Sequence, residues 1–223
     1  VMLAAREAGK VHGVPLEGAR VVVQGFGNVG SISAKQLAGQ GARVVAVSDI
    51  NGALRNANGL DVPALLEHVR KTRSIVGFPG GEAMDHKDLL TTECDILVPA
   101  ALENQITDEN ANRIRTRIIV EGANGPTTAN ADKILDAADV FVIPDILANA
   151  GGAVVSYFEW VQDRMGYFWE EDDVNQRLEG LMRKAFAQVL TRTKTSQVNM
   201  RTAAYMEGIN RVAYFTKMRG LYP

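Results

Sequence analysis

Apolar residues fall in two rhythms along this chain. Through the first two thirds they come as short unbroken runs, at residues 20–24, 41–49, 95–98, 117–120 and 140–143. Val, Ile and Leu dominate these runs and polar residues do not alternate with them, the pattern of strands covered on both faces of a parallel sheet. Between the runs lie helix candidates at 29–40, 63–71, 108–113 and 131–137, with Thr107 and Asn130 placed to cap two of them through side-chain oxygens. Strands alternating with helices predict an α/β fold, doubly wound around a mostly parallel sheet.

From Gly151 onward the rhythm becomes helical and no strand is expected. Val174, Leu178, Leu181, Ala185 and Val189 recur at helical spacing, widened by Met182 and Phe186. Met206, Ile209 and Ala213 form a second stripe beside Val212 and Tyr205. Core packing is the plain reading of both stripes, and cover for another domain or subunit is the alternative. At the other end, residues 1–11 read as the later part of a helix, with Val1, Ala4, Ala5 and Ala8 on one face and Gly9 and Gly13 closing it. No capping residue precedes it, so the chain is expected to continue upstream. The resulting division is 1–13 as the end of an interdomain helix, 14–150 as a nucleotide-binding domain and 151–223 as a C-terminal helical segment.

Composition narrows the function classes. The chain has 223 residues, 46% of them hydrophobic and 22% charged, which suits a folded core rather than disorder. Acids (26) nearly balance bases (24), so no global positive field invites nucleic acid or an anionic membrane. The longest apolar-rich run, 146–158, is interrupted by Asn149, Gly151 and Gly152 and is too short for a membrane span of about 20 residues. One cysteine, Cys94, excludes an internal disulfide and fits a reducing, intracellular compartment. With three scattered histidines it makes no recognisable metal site.

Candidate chemistry begins at Gln24-Gly25-Phe26-Gly27-Asn28-Val29-Gly30, a G-x-G-x-x-G sequence that follows a strand and opens a helix. Gly25 permits the tight turn, Gly27 lets backbone approach a pyrophosphate, and Gly30 lets helix pack on strand. The diphosphate then meets free N–H groups at the positive end of the helix. The next strand ends in Asp49, about 20 residues beyond Gly30, where a carboxylate would accept from the adenosine ribose. Such a group repels a 2′-phosphate, which favours NAD; Arg43 and Arg55 nearby keep NADP open. These features make the sheet Rossmann-like. Two further strand ends, around Ala100 and Asn124, carry small or amide residues that leave room for a ligand. Asn124 and Asn149 each have a loop-capping role as the alternative to binding.

Taken together, the glycine motif, Val47-Ser48-Asp49, Cys94-Asp95-Ile96-Leu97-Val98-Pro99-Ala100-Ala101, Glu121-Gly122-Ala123-Asn124-Gly125-Pro126-Thr127 and Pro144-Asp145-Ile146-Leu147-Ala148-Asn149-Ala150-Gly151-Gly152, continuing into Ser156-Tyr157-Phe158-Glu159-Trp160, resemble the nucleotide-binding half of glutamate dehydrogenase. The likeness runs in order to Arg219-Gly220-Leu221-Tyr222-Pro223. It implies reversible oxidative deamination of L-glutamate to 2-oxoglutarate and ammonia with NAD or NADP. By resemblance, Gly25, Phe26, Gly27, Asn28, Val29 and Gly30 hold the pyrophosphate, and Asp49 lies at the adenosine ribose. Ala100 lines the crevice, Asn124 holds the nicotinamide ribose, and Asn149 lies by nicotinamide and substrate. Ser156 matches a serine at the substrate's side-chain carboxylate, and Ala153 stands where many members carry valine. The family's catalytic lysine and aspartate match no segment here; Lys10, Lys35 and Lys71 read as solvated. The resemblance therefore implies a cofactor platform inactive by itself, with its own N-terminal substrate domain as partner, a homohexamer as assembly and the cytoplasm, or a mitochondrial matrix, as location. A leucine, phenylalanine or valine dehydrogenase remains the nearest alternative, and a nucleotide-sensing module without catalysis the more distant one.

Overall fold

The computed structural model describes residues 1–220; Leu221, Tyr222 and Pro223, where the resemblance ends, lie outside the described residues. The chain divides into two compact units, Val1–Asn149 and Ala150–Pro223.

The first unit is built on one sheet. β1 (Arg20–Gln24), β2 (Arg43–Ser48), β5 (Ile96–Pro99), β6 (Ile118–Val120) and β7 (Phe141–Ile143) are the runs expected from sequence, and they pair in parallel. Two short strands were not expected: β3 (Ala53–Arg55) and β4 (Glu82–Met84), which add an antiparallel edge beyond β2. Each is as short as β6 and β7 but carries a charged residue, Arg55 or Glu82, so no unbroken apolar run marks it. The order is β4-β3-β2-β1-β5-β6-β7. The chain moves outward from β1 in one direction, then crosses back to build β5, β6 and β7 in the other. That reversal opens a crevice at the carboxyl ends of β1 and β5.

Helices cover both faces. α1 (Met2–His12) touches β6, β7 and α2 (Asn28–Gly39), and α2 in turn touches α3 (Val62–Thr72). On the other face α4 (His86–Leu89) and α5 (Ala129–Ala137) enclose a core with Val22, Leu97, Ile106, Ile119 and Leu135, all fully buried. Val21, Val23, Ile96 and Val98 are buried as well, so consecutive strand residues serve opposite faces. This is why the strands read as unbroken apolar runs. Gly9 lies inside α1 rather than ending it: a Cβ there would stand 2.2 Å from the Val14 carbonyl oxygen. Gly13, at φ 63°, is the residue that closes the helix.

Two local expectations are corrected. The helix at 108–113 is reduced to a single 3-10 turn, Ala111–Arg113. The backbone before it is engaged elsewhere, with the N–H groups of Gln105 and Ile106 donating to the Pro126 carbonyl at 2.8 Å. Thr107 caps nothing through its hydroxyl; its backbone N–H instead donates to Asn110 Oδ1. Asn130 lies inside α5, whose cap is Thr128, with Oγ1 accepting from the Ala131 N–H at 3.3 Å.

The second unit contains α7 (Gly151–Met165), α8 (Glu171–Ser196) and α9 (Met200–Arg219), following the short α6 (Asp145–Ala148) of the first unit. Met182, Phe186 and Val189 are the buried positions of α8, while Leu181 remains 47% exposed, so the seam lies on the flank of the expected stripe. In α9 only Met200, Ala203 and Ala204 are buried. Ile209 and Val212 are 64% and 68% exposed, which corrects the core reading of that second stripe.

Candidate functional site

The glycine turn is shaped by steric necessity at two of its three glycines. Gly25 has φ +89°, and a Cβ there would lie 2.8–2.9 Å from backbone atoms of Ala100 and Ala101. Gly30 is tighter, since its Cβ would meet the Gly25 carbonyl oxygen at 1.8 Å. Gly27 is different. Its φ is −79° and a Cβ would point into open space, so the chain's own packing gives no reason for glycine there. Gly27 is the N-cap of α2, without a side-chain cap or an acidic residue in the first turn. The first backbone N–H groups of a helix lack internal partners, and here the residues at its start, Gly27, Asn28 and Val29, are exposed. A phosphate-bearing ligand fits this cradle, because it would fill the missing Cβ volume and accept from those donors.

The other expected residues gather around the same strand ends. Phe26 is buried, so its side chain belongs to the core and only its backbone is offered to a ligand. Asn28 and Val29 are exposed on the first turn. Ala100 donates its N–H to the Gln24 carbonyl and lies against Gly122, where a Cβ would come within 3.1 Å of the Ala100 methyl group. β1, β5 and β6 therefore end in contact beneath the opening of α2. Ser48, 2% exposed, accepts from the Gly25 N–H through Oγ at 3.2 Å and so ties the turn to β2. Its role was not expected; its place at the carboxyl end of a strand beside Asp49 was the available signal.

Asp49 is not a free carboxylate. Oδ1 accepts from the Asn51 and Gly52 N–H groups at 2.8 and 3.0 Å, and Oδ2 accepts from Ser74 Oγ and the Ile75 N–H, both at 2.8 Å. About four acceptor positions are all that a carboxylate has, and protein donors meet each of them. Partial burial pushes the carboxyl upward, but the hydrogen bonds from Ile75, Ser74, Asn51 and Gly52 outweigh it and hold the group below its ordinary value. A ribose hydroxyl at this corner would share or displace one of these partners. The spacing that singled out Asp49 carries no sign of the returning segment at 74–75, which long-range folding supplies.

Asn124 and Asn149 are brought together, although 25 residues separate them: Asn149 Nδ2 donates to Asn124 Oδ1 at 2.7 Å. Asn149 Nδ2 also donates to the Gly122 carbonyl at 3.4 Å, which leaves Asn149 its Oδ1 and Asn124 its Nδ2 for a ligand. Ala153 and Ser156 lie three residues apart on α7 of the second unit, both exposed. Lys10, Lys35 and Lys71 are exposed, and the first and last are paired with Glu7 and Glu67. Among the described residues no group of three or more His, Cys, Asp or Glu side chains is placed to hold a metal ion, and no helix is long and apolar enough to cross a membrane.

This geometry has known relatives. The sequence profile of the Glutamate/Leucine/Phenylalanine/Valine dehydrogenase family matches residues 1–220. The chain is 50% identical over 214 residues to a glutamate dehydrogenase of Thermotoga maritima, covering 96% of this chain and 51% of that protein. It is 46% identical over 220 residues to a cryptic catabolic NAD-specific glutamate dehydrogenase of Bacillus subtilis, covering 99% and 51%. Among solved structures, the hetero-hexameric glutamate dehydrogenase of Thermus thermophilus in a leucine-bound form superposes with a TM-score of 0.93 at 32% identity, over 99% of this chain and 52% of that one. The chain thus spans about half the length of the curated relatives it matches. A family profile matched over residues 1–220, together with a relative 50% identical over 96% of the chain, shows that this chain belongs to the glutamate/leucine/phenylalanine/valine dehydrogenase family.

Proposed function

We propose that this chain is the coenzyme-binding half of an NAD-linked glutamate dehydrogenase, in which L-glutamate, water and NAD+ give 2-oxoglutarate, ammonium, NADH and a proton. The observation that carries the reading is the uncapped start of α2 at the sheet's crossover, with open space where Gly27 lacks a Cβ. The printed names of the relatives, NAD-specific glutamate dehydrogenases among them, support the choice of coenzyme and substrate.

The nicotinamide, when bound, supplies the hydride acceptor. The residues of this chain then bind and orient. Gly25 to Gly30 present backbone donors to the diphosphate, with Gly25 braced by Ser48. The Asp49 corner receives the adenosine ribose and keeps negative charge where a 2′-phosphate would otherwise lie, which favours NAD over NADP. Ala100 keeps the crevice floor low, and Asn124 and Asn149 hold the nicotinamide ribose and ring. Ser156 offers a hydroxyl to the substrate's side-chain carboxylate, beside Ala153. Deamination chemistry needs a desolvated lysine and a partner acid. The exposed lysines here do not meet that need, so the catalytic lysine and aspartate belong to an N-terminal substrate domain. Residues 151–223 pack back toward that domain, residues 1–13 close the helix that joins it, and the complete enzyme is a cytoplasmic homohexamer, or a matrix one in a eukaryote.

The test pairs binding with turnover. Titration calorimetry of the 223-residue chain is expected to show NAD+ binding, while NADH absorbance shows no glutamate-dependent rate. Absence of NAD+ binding would refute the coenzyme role, and a substantial rate from this chain alone would refute the assignment of catalysis elsewhere.

A further inference from the structure

At the carboxyl end of β6 a set of hydrogen bonds joins two loops through one residue outside the expected site, Asp145. Its backbone N–H donates to Glu121 Oε2 at 2.8 Å, and Glu121, the last buried residue before the Gly122 turn, is 0% exposed. Its Oδ2 accepts from the Gly125 N–H at 2.8 Å, immediately after Asn124 in the chain. Its carbonyl accepts from the Asn149 N–H at 3.0 Å. Asp145 is thereby bonded to a strand end, to the neighbour of one site asparagine and to the backbone of the other. The Asn149–Asn124 side-chain bond of 2.7 Å closes the ring.

This arrangement answers a mechanical difficulty. Gly125 has φ +55°, so the loop turns sharply just beyond Asn124, and Asn124 is itself exposed. Such a side chain has many orientations unless its backbone is held. A charged acceptor holds a backbone N–H more strongly than a neutral one, and here it does so from the residue that also starts the helix carrying Asn149. The two asparagines come from loops that follow different strands, and nothing in their own sequence keeps them in register.

We propose that Asp145 is a positioning residue that holds Asn124 and Asn149 in register for the nicotinamide-riboside half of the coenzyme, without itself touching the ligand. The inference rests on the coenzyme-binding reading above, and it adds that the two halves of the ligand are separable: the diphosphate cradle at Gly25 to Gly30 is built without Asp145.

Calorimetry on the full-length protein with NAD+ and with ADP, which lacks the whole nicotinamide riboside, tests it. The unsubstituted protein is expected to bind both. In Asp145→Ala, ADP affinity stays within about twofold while NAD+ affinity falls about tenfold, the size of a lost charge-assisted hydrogen bond. Asp145→Asn has one neutral oxygen for the Gly125 and Ile146 N–H groups that the two carboxylate oxygens now serve, so its NAD+ affinity falls about threefold with ADP unchanged. This milder variant decides the matter should the alanine variant not fold. Parallel losses for both ligands, or unchanged NAD+ affinity, in Asp145→Asn would overturn the proposal. A parent protein that binds neither ligand would instead sink the coenzyme reading, and this inference with it.

Discussion

Single residues carry different burdens even within one motif. Gly27 and Gly30 look alike in sequence, yet one faces open space and the other a carbonyl oxygen at 1.8 Å. Gly27→Ala is expected to change stability by no more than about 1 kcal/mol, the ordinary cost of alanine at an N-cap, and to weaken NAD+ binding clearly. Gly30→Ala is expected to cost about 3 kcal/mol or more through overpacking and to lower the melting temperature before any binding defect can be seen. Thermal melts beside NAD+ titrations separate the two outcomes. Asp49 makes a second residue-scale case. Its native pKa lies below the ordinary 3.8, so its contribution is complete above that value and is lost as pH falls through the lowered native one. Asp49→Ala should cost about 2–3 kcal/mol by releasing donors from a charged acceptor. Asp49→Asn should flatten the loss of stability as pH falls below 3.8, and equal acid sensitivity in parent and variant would count against this assignment. Cys94 is 3% exposed, and burial pushes its thiol up to about 11. Thiol reagents at neutral pH should leave it unmodified until the protein unfolds.

Elements show how far local pattern reaches. α5 begins at its capping hydroxyl, and Thr128→Ala is expected to cost about 1 kcal/mol, a fall in melting temperature of about 2–4 °C. The same substitution at Asn130, inside the helix, should cost nothing by loss of a cap. Four parallel strands, β1, β2, β5 and β6, were legible because both their faces are largely buried, which leaves an unbroken apolar run in the sequence, and β7 at the sheet's edge, though only partly buried, keeps such a run as well. β3 and β4 were not, because Arg55 and Glu82 break their short runs and each takes its structure from the strand that it extends. The α9 stripe was legible as helix but not as core. Ile209, Val212, Phe215 and Met218 are all more than half exposed, and helical spacing specifies a face without saying what meets it. Glutamate placed at Ile209 and Val212 is accordingly expected to leave the helix intact by circular dichroism. In light scattering of the 223-residue chain the same pair of substitutions should reduce self-association.

For the whole molecule, membership of the family leaves the choice among its amino acids to be tested on the complete enzyme. A rate with glutamate at least tenfold above that with leucine is expected if the Ser156 hydroxyl meets a substrate carboxylate, and the reverse preference would favour the apolar-pocket members. The sequence by itself determined the class of fold, the glycine turn and the crevice at the carboxyl ends of β1 and β5, because each of these follows from short-range rules: apolar runs, glycine geometry and the order of strands and helices. Tertiary structure alone decided what each polar group at the crevice is free to do. It brought the segment at 74–75 onto Asp49 and engaged that carboxylate, joined Asn124 to Asn149, and placed Asp145 between their loops. Hydrogen bonds between residues 20 or more positions apart depend on how the chain returns in space, and no local spacing encodes that return.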